Sequence, residues 1–272
     1  MQLGIFAKTY HRLHLSEILD AVCDDGFKSV QFNMACVGLK SMPDSIPNGL
    51  PQQIALELRT RNLKMAAISG TFNMIHPDQT LKQAGLDSLA LLIQHARLMG
   101  TSSITLCTGS KNANDMWHDH PENNSRVAWQ ELCETMQKAI QMAESAHVDL
   151  LIEPELSNVV NTTQKAKQLI TEMQSQHLKV VFDPANLFEV ATPKEIEYLI
   201  QEGLDLLGEH LVIVHAKDRK IDGTFAAAGL GVVPYPFLMN TLNTIGFDGD
   251  IIAHGLTEAE ALPCRLFCNN NC

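Results

Sequence analysis

Short β-rich runs alternate with longer helical patterns along the whole of this chain, and that rhythm restricts the fold more than any other feature. Strands are predicted at residues 3–7, 28–32, 64–68, 103–107, 149–153, 179–183, 211–215 and 250–254, with helices at 15–24, 52–61, 81–99, 126–146, 163–174, 193–206 and 236–245. Thr192 before Pro193, and Thr162 or Thr163 before the fifth helix, are N-terminal start signals. About eight such βα units close a small parallel barrel. No Gly/Ser/Pro-rich linker or low-complexity segment divides the chain. The expected fold is therefore α/β, a single (β/α)8 TIM barrel domain over residues 1–272.

The far end of the sequence departs from this rhythm. After the eighth strand and Gly255 only residues 256–272 remain, so the final helix is expected to be short or incomplete. The barrel surface it leaves bare would be covered by a second copy, which predicts a homo-oligomer, a dimer or larger. Cys264, Cys268 and Cys272 recur every fourth residue and share one helical face, as an incidental stripe or as reactive thiols. The seven cysteines are odd in number, and Cys23, Cys36, Cys107 and Cys133 fall in core segments, which suits a reducing compartment. There is no 18-residue apolar run and no signal-peptide pattern, so a soluble, cytoplasmic protein without a membrane partner is expected. A net charge of −11 disfavours a phosphate backbone, so nucleic acid is not the expected partner.

Four successive predicted strands, DLLIE, KVVFD, LVIVH and DIIAH, close on a carboxylate or an imidazole: Glu153, Asp183, His215 and His254. Taken singly each has an ordinary use, a loop cap for the acids or a hydrogen-bonded core position for the histidines. Together, about 30 residues apart, they converge if the strands are parallel, because the carboxyl ends of barrel strands open onto one face. Two carboxylates and two imidazoles suit Mn, Zn, Co or Fe better than Mg. Lys217 lies two residues past His215 and faces the same side if that strand continues. His76, Trp117 and His120 fall in loops predicted at the mouth, where an aromatic plane and a few polar groups suit a sugar. The GLG at residues 229–231 is too short and wrongly placed for a dinucleotide fingerprint, so no nucleotide cofactor is expected.

The chain resembles the xylose isomerase-like barrels, specifically the bacterial sugar phosphate isomerase/epimerase group. The resemblance is carried by GIFAKTY (residues 4–10), VQFNMA (30–35), SGTFNMIHPD (69–78), LCTGS (106–110), MWHDHPEN (116–123), IEPELSNVVNT (152–162), FDPANLF (182–188), HAKD (215–218) and HGLTEAE (254–260). It implies that Glu153, Asp183 and His215 match three of the family's metal ligands. In the better-known ketose epimerases the fourth ligand is a glutamate at the end of strand eight, where this chain has His254. Those enzymes use two glutamates to remove and return a proton. Here Glu153 is the expected base and ligand, and His254 a ligand or acid/base, with Glu155 or His76 as other sources of the second proton transfer. Asn186 stands where relatives place a substrate-contacting histidine.

The resemblance thus implies a metal-dependent sugar isomerase or epimerase that abstracts a proton beside a polarised carbonyl of a small sugar or sugar derivative. An inosose dehydratase-like lyase, a catalytically degenerate sugar-binding barrel and an endonuclease IV-like DNA repair enzyme are the alternatives, the last opposed by the acidic charge.

Overall fold

The computed structural model describes residues 1–271, and its sheet is a closed ring. The strands are β1 (Gln2–Phe6), β2 (Ser29–Phe32), β3 (Lys64–Ser69), β4 (Ser103–Cys107), β5 (Asp149–Glu153), β6 (Leu178–Phe182), β7 (Leu211–Arg219), a short β8 (Phe225–Ala227) and β9 (Asp250–Ala253). β1 to β7 pair in parallel in chain order, β7 pairs with β9, and β9 with β1, which makes eight parallel staves. β8 stands outside the ring, antiparallel to the end of β7, with Arg219 opposite Phe225.

Eight helices surround the barrel: α1 (Leu15–Asp24), α2 (Leu50–Thr60), α3 (Gln79–Met99), α4 (Arg126–Ala146), α5 (Thr163–Met173), α6 (Pro193–Leu207), α7 (Tyr235–Thr244) and α8 (Glu258–Asn271). Their starts follow from local chemistry. Asp78, Ser125, Thr162 and Thr192 each accept a hydrogen bond from a first-turn N–H, and Thr192 with Glu195 closes a reciprocal capping box ahead of Pro193. Their apolar stripes, including Leu19, Ile54, Leu89, Met136, Leu169, Leu204 and Leu242, are buried against the outside of the barrel. Such side chains contribute about 1.5–3 kcal/mol each when fully buried.

Inside the barrel the filling is a separate small cluster, Ala66, Ala67, Leu151, Val181, Ile213 and Ile252. Side chains alternate along a strand, so the residue two positions onward points the same way. One step beyond Leu151, Val181, Ile213 and Ile252 stand Glu153, Asp183, His215 and His254. The apolar plug is thus the floor beneath the four strand-end residues, and a one-residue slip of any stave would turn both its plug residue and its polar residue outward.

Two elements differ from the sequence expectation. The last helix is neither short nor incomplete: α8 runs for 14 residues, through Pro263. It begins where Glu260 accepts from the Thr257 amide and hydroxyl, and it lies against β1, β9 and α7. Ala261, Cys264 and Cys268 form its buried side, so these cysteines serve as apolar packing groups, while Cys272 falls outside the described residues. Exposed barrel surface therefore no longer supplies a reason for a partner subunit. β7 is also four residues longer than predicted, because the β8 hairpin continues its pairing, and this carries Lys217 and Arg219 along the wall past His215. No helix among the described residues is long and apolar enough to cross a membrane.

Candidate active site

Three ligand-type atoms, one each from Glu153, Asp183 and His215, lie within 4.8 Å of one another at the carboxyl end of the barrel. His215 Nδ1 is 3.1 Å from Glu153 Oε1 and 3.6 Å from Asp183 Oδ2. Its other nitrogen, Nε2, meets Gln31 Oε1 at 2.9 Å, which fixes the ring and directs Nδ1 at the carboxylates. Asp183 follows β6 directly and accepts the Ala185 amide through Oδ1, while its buried Oδ2 faces the Lys217 ammonium at 3.2 Å and His215 Nδ1 at 3.6 Å. A buried carboxylate beside a second carboxylate and an imidazole is the donor set of a divalent cation. The three residues fit such an ion.

Asn186 and Lys217 tie this group together. Asn186 donates to Glu153 Oε1 at 2.9 Å and accepts from Lys217 Nζ at 2.8 Å, and Lys217 Nζ is 3.2 Å from Asp183 Oδ2. The phenyl ring of Phe225, delivered by β8, lies 3.7 Å from Lys217 Nζ and 4.0 Å from the Arg219 guanidinium. Glu153 Oε1 is thus held twice, by Asn186 and His215, while Oε2 makes no hydrogen bond among the described residues and the side chain is 13 % exposed to the mouth.

Burial and charge set the protonation of the group. Burial raises the Asp183 carboxyl, but Lys217 and His215 outweigh it and hold the group well below the usual range. Burial lowers His215, but Glu153 and Asp183 bring it up to about 9. His254 moves the other way: burial, then the positive charge of His215 and Lys217, hold it well below its ordinary value and keep it neutral. Its ring stacks between Phe6, at 5.1 Å, and His215, at 4.7 Å, with Nδ1 buried and unpartnered among the described residues. His254 therefore borders the three-residue group without belonging to it. Glu155, half-buried two residues past Glu153, is raised to about 7, chiefly by burial.

The loop residues expected at the mouth have other engagements. His76 uses both ring nitrogens, facing the Ala113 carbonyl and accepting from the Asp78 amide, so it braces two loops. His120 accepts from the Glu122 amide and caps a 3-10 turn, and Trp117 sits on the same loop, 51 % exposed. None of the three lines the cavity that opens beside His254. Sequence reasoning missed Gln31, Arg219 and Phe225. Gln31 had a signal, a long polar side chain between Val30 and Phe32 in a short strand; the other two depend on the hairpin.

The family model described as xylose isomerase-like TIM barrel matches residues 19–258, and the chain belongs to that family. Among solved structures it is similar to L-ribulose 3-epimerase, at 16% identity and a TM-score of 0.74 over 99% of this chain and 94% of that one. It is similar also to D-psicose 3-epimerase of Clostridium cellulolyticum H10, at 15% identity and a TM-score of 0.72 over 100% and 99%. The IOLI protein with a bound zinc atom matches at 13% identity and a TM-score of 0.73 over 99% and 96%. At such identities the likeness is one of fold. No curated protein sequence matches the chain.

Proposed function

We propose that this barrel is a divalent-metal-dependent isomerase or epimerase of a small sugar or sugar derivative. The observation that carries the reading is the Glu153, Asp183 and His215 group at the end of the barrel where catalytic groups gather. The ketose epimerases and the zinc-bearing protein among its structural relatives support it. Those three residues would hold the ion, with the neutral His254 as a fourth ligand or an acid/base. When bound, such an ion polarises a sugar carbonyl and stabilises the charge that develops on it; Mn, Zn, Co or Fe suits the mixed oxygen and nitrogen donors better than Mg.

The chain's own residues then divide the proton transfer. Glu153 keeps Oε1 anchored and offers Oε2 to the C–H beside the carbonyl, as the general base. Asn186 fixes that carboxylate and Lys217 at once, and Lys217 brings positive charge close to where the substrate oxygen becomes negative. Glu155 and His254 are the groups placed to return a proton from elsewhere in the site.

The test is solvent-deuterium incorporation next to the carbonyl of a panel of ketoses, with metal-loaded protein and products identified by NMR. Glu153→Gln should lower exchange by about 10²-fold or more. Full exchange in that variant would sink the assignment, and products short of one water would place the chain with the dehydratases instead.

A further inference from the structure

A cavity of about 760 Å³ opens beside the proposed reaction centre, between the loop after β1, the β7–β8 hairpin and the segment after β9. It reaches that centre at two points. Phe6 and His254, stacked 11° from parallel, stand at its inner end, and His254 stacks in turn on His215. Phe225 lines it from the hairpin and lies over Lys217, whose Nζ meets Asp183. The cavity falls within the roughly 300–1,000 Å³ that holds drug-sized ligands, which is more than a single six-carbon sugar fills.

The charges on its wall cancel. Lys8 and Lys220 are matched by Glu258 and Glu260. Arg12 clasps Glu258 with both terminal nitrogens. Glu260 is held below its ordinary value by Thr257 and further by Lys220, and Asp222 by Thr224 and then by Lys220. What the cavity does offer is apolar surface from three elements. Phe225 rests on Lys217 and Arg219 yet is 46 % exposed, Leu230 is 59 % exposed, and Leu256 joins them from the segment after β9. Leu230 is not exposed by a slack loop. Its amide donates to the Ala227 carbonyl, the Gly229 amide to Asp218 Oδ2 and the Val232 amide to the Arg219 carbonyl, so the turn holds it out. Scattered apolar side chains on a surface need no explanation, but several lining one concave, charge-balanced site mark where the apolar face of a ligand is buried. A monosaccharide held at the Glu153, Asp183 and His215 group would leave these surfaces in water.

We infer that this cavity receives an uncharged second ring, so that the substrate is a sugar bearing a pyranose or an aromatic group at the end remote from its reacting carbon. The shared chemistry is a ring with an apolar face, which packs on Phe225 and against Leu230 and Leu256. That the ligand is a substrate rests on the isomerase or epimerase reading; the ring subsite itself does not.

The experiment is an amide NMR titration of the full chain with four probes: fructose, isomaltulose (a ketose carrying a glucopyranose on its far end), phenyl β-glucoside and fructose 6-phosphate. Isomaltulose or phenyl glucoside should bind about tenfold tighter than fructose, with shifts at residues 225–230 and 254–257, and the tighter of the two tells a sugar ring from an aryl ring. Phe225→Ala should remove most of that advantage. Because Phe225 also covers Lys217, Leu230→Asn is the second variant, and it should weaken the two-ring probes about fivefold. Leu81→Asn, exposed on α3, should leave their binding unchanged. Equal binding of fructose and both two-ring probes, no saturable binding of either, or tighter binding of fructose 6-phosphate overturns the subsite. Saturable two-ring binding without solvent-deuterium exchange on any sugar overturns the proposed reaction alone, whereas exchange on fructose with no preference for a second ring overturns the subsite alone.

Discussion

Replacing Gln31 by leucine asks whether His215 is oriented for ligation by a residue from the opposite side of the barrel. Gln31 is 3 % exposed, and its Oε1 accepts from His215 Nε2 at 2.9 Å; its amide nitrogen also reaches Thr105 Oγ1 at the outer limit of 3.4 Å. Leucine nearly matches glutamine in volume, so the change opens no cavity. It does strand the Nε2–H of a fully buried imidazole. An unsatisfied buried donor costs about 1–3 kcal/mol of stability, which at about 2–4 °C per kcal/mol for a chain of this size lowers the melting midpoint by several degrees. The ligating nitrogen also loses its orientation and part of its basicity. Outer-shell losses of this kind weaken metal affinity about 10- to 100-fold, or about 1.4–2.8 kcal/mol. Zn²⁺ competition against a chromophoric chelator measures the affinity, and melting in excess chelator measures the stability separately. A variant that melts lower yet binds zinc within about twofold of the parent would refute the outer-shell role and leave Gln31 a packing residue.

Zn²⁺ or Mn²⁺ at a hundred times its dissociation constant should stabilise the parent by about 2.7 kcal/mol, read as a raised melting midpoint. Asp183→Ala should abolish that rise, and an undiminished one would place the ion elsewhere. Gly231→Ala would bring a Cβ to 2.2 Å from Asp218 Oδ1 and 2.3 Å from the Arg219 carbonyl oxygen, so denaturant unfolding should show a loss of about 1–3 kcal/mol. An unchanged midpoint there would mean the turn moves aside freely. Cys264→Asp places a charge on the buried side of α8, and should speed amide exchange in β1 while Leu262→Asp, on the exposed side, does not. His210 is held below its ordinary value, first by burial and then by Lys167 and Lys179. The unfolded chain therefore binds that proton more readily, and stability should fall as pH drops from about 6.5, the unfolded value, toward the lower folded one. A His210→Asn protein should show a shallower slope; an identical slope would remove His210 from the account.

The barrel was legible because its two periodicities differ so plainly, and the strand-end residues because each ends a run whose inward positions alternate. Glu153, Asp183 and His215 could be paired from sequence once the strands were counted, since parallel staves put their carboxyl ends together. The hairpin was hidden in HAKDR, whose charges read as loop although the wall at the mouth of a barrel is where charged residues sit. α8 was hidden in its composition: cysteine fills the core-facing positions where leucine or valine is the usual signal, and Pro263 interrupts the pattern. His76 and His120 looked like pocket residues because sequence shows the imidazole and not the amides and carbonyl that occupy it. Gln31 and His215 are 184 residues apart, and nothing local marks either as the other's partner.

The three donor residues stand on one arc of the ring, on β5, β6 and β7, with His254 on the neighbouring β9, while β1, β2 and β4 turn Phe6, Gln31, Thr105 and Cys107 toward the same interior. The chain is thereby split into a half that keeps the chemistry and a half whose loops are open to revision. Rewriting the tips of the loops after β3 and β4 would change which molecules reach the centre, so long as the bonds from the Gly109 amide to Asn158 Oδ1 and from the Val160 amide to Thr108 Oγ1, which tie the β4 loop to the segment after Glu153, are kept. A comparable change after β6 would cut the Asn186 bridge between Glu153 and Lys217. Evolution or design seeking a new specificity on this scaffold has a permissive side and a forbidden side, and the boundary between them runs along β1 and β4.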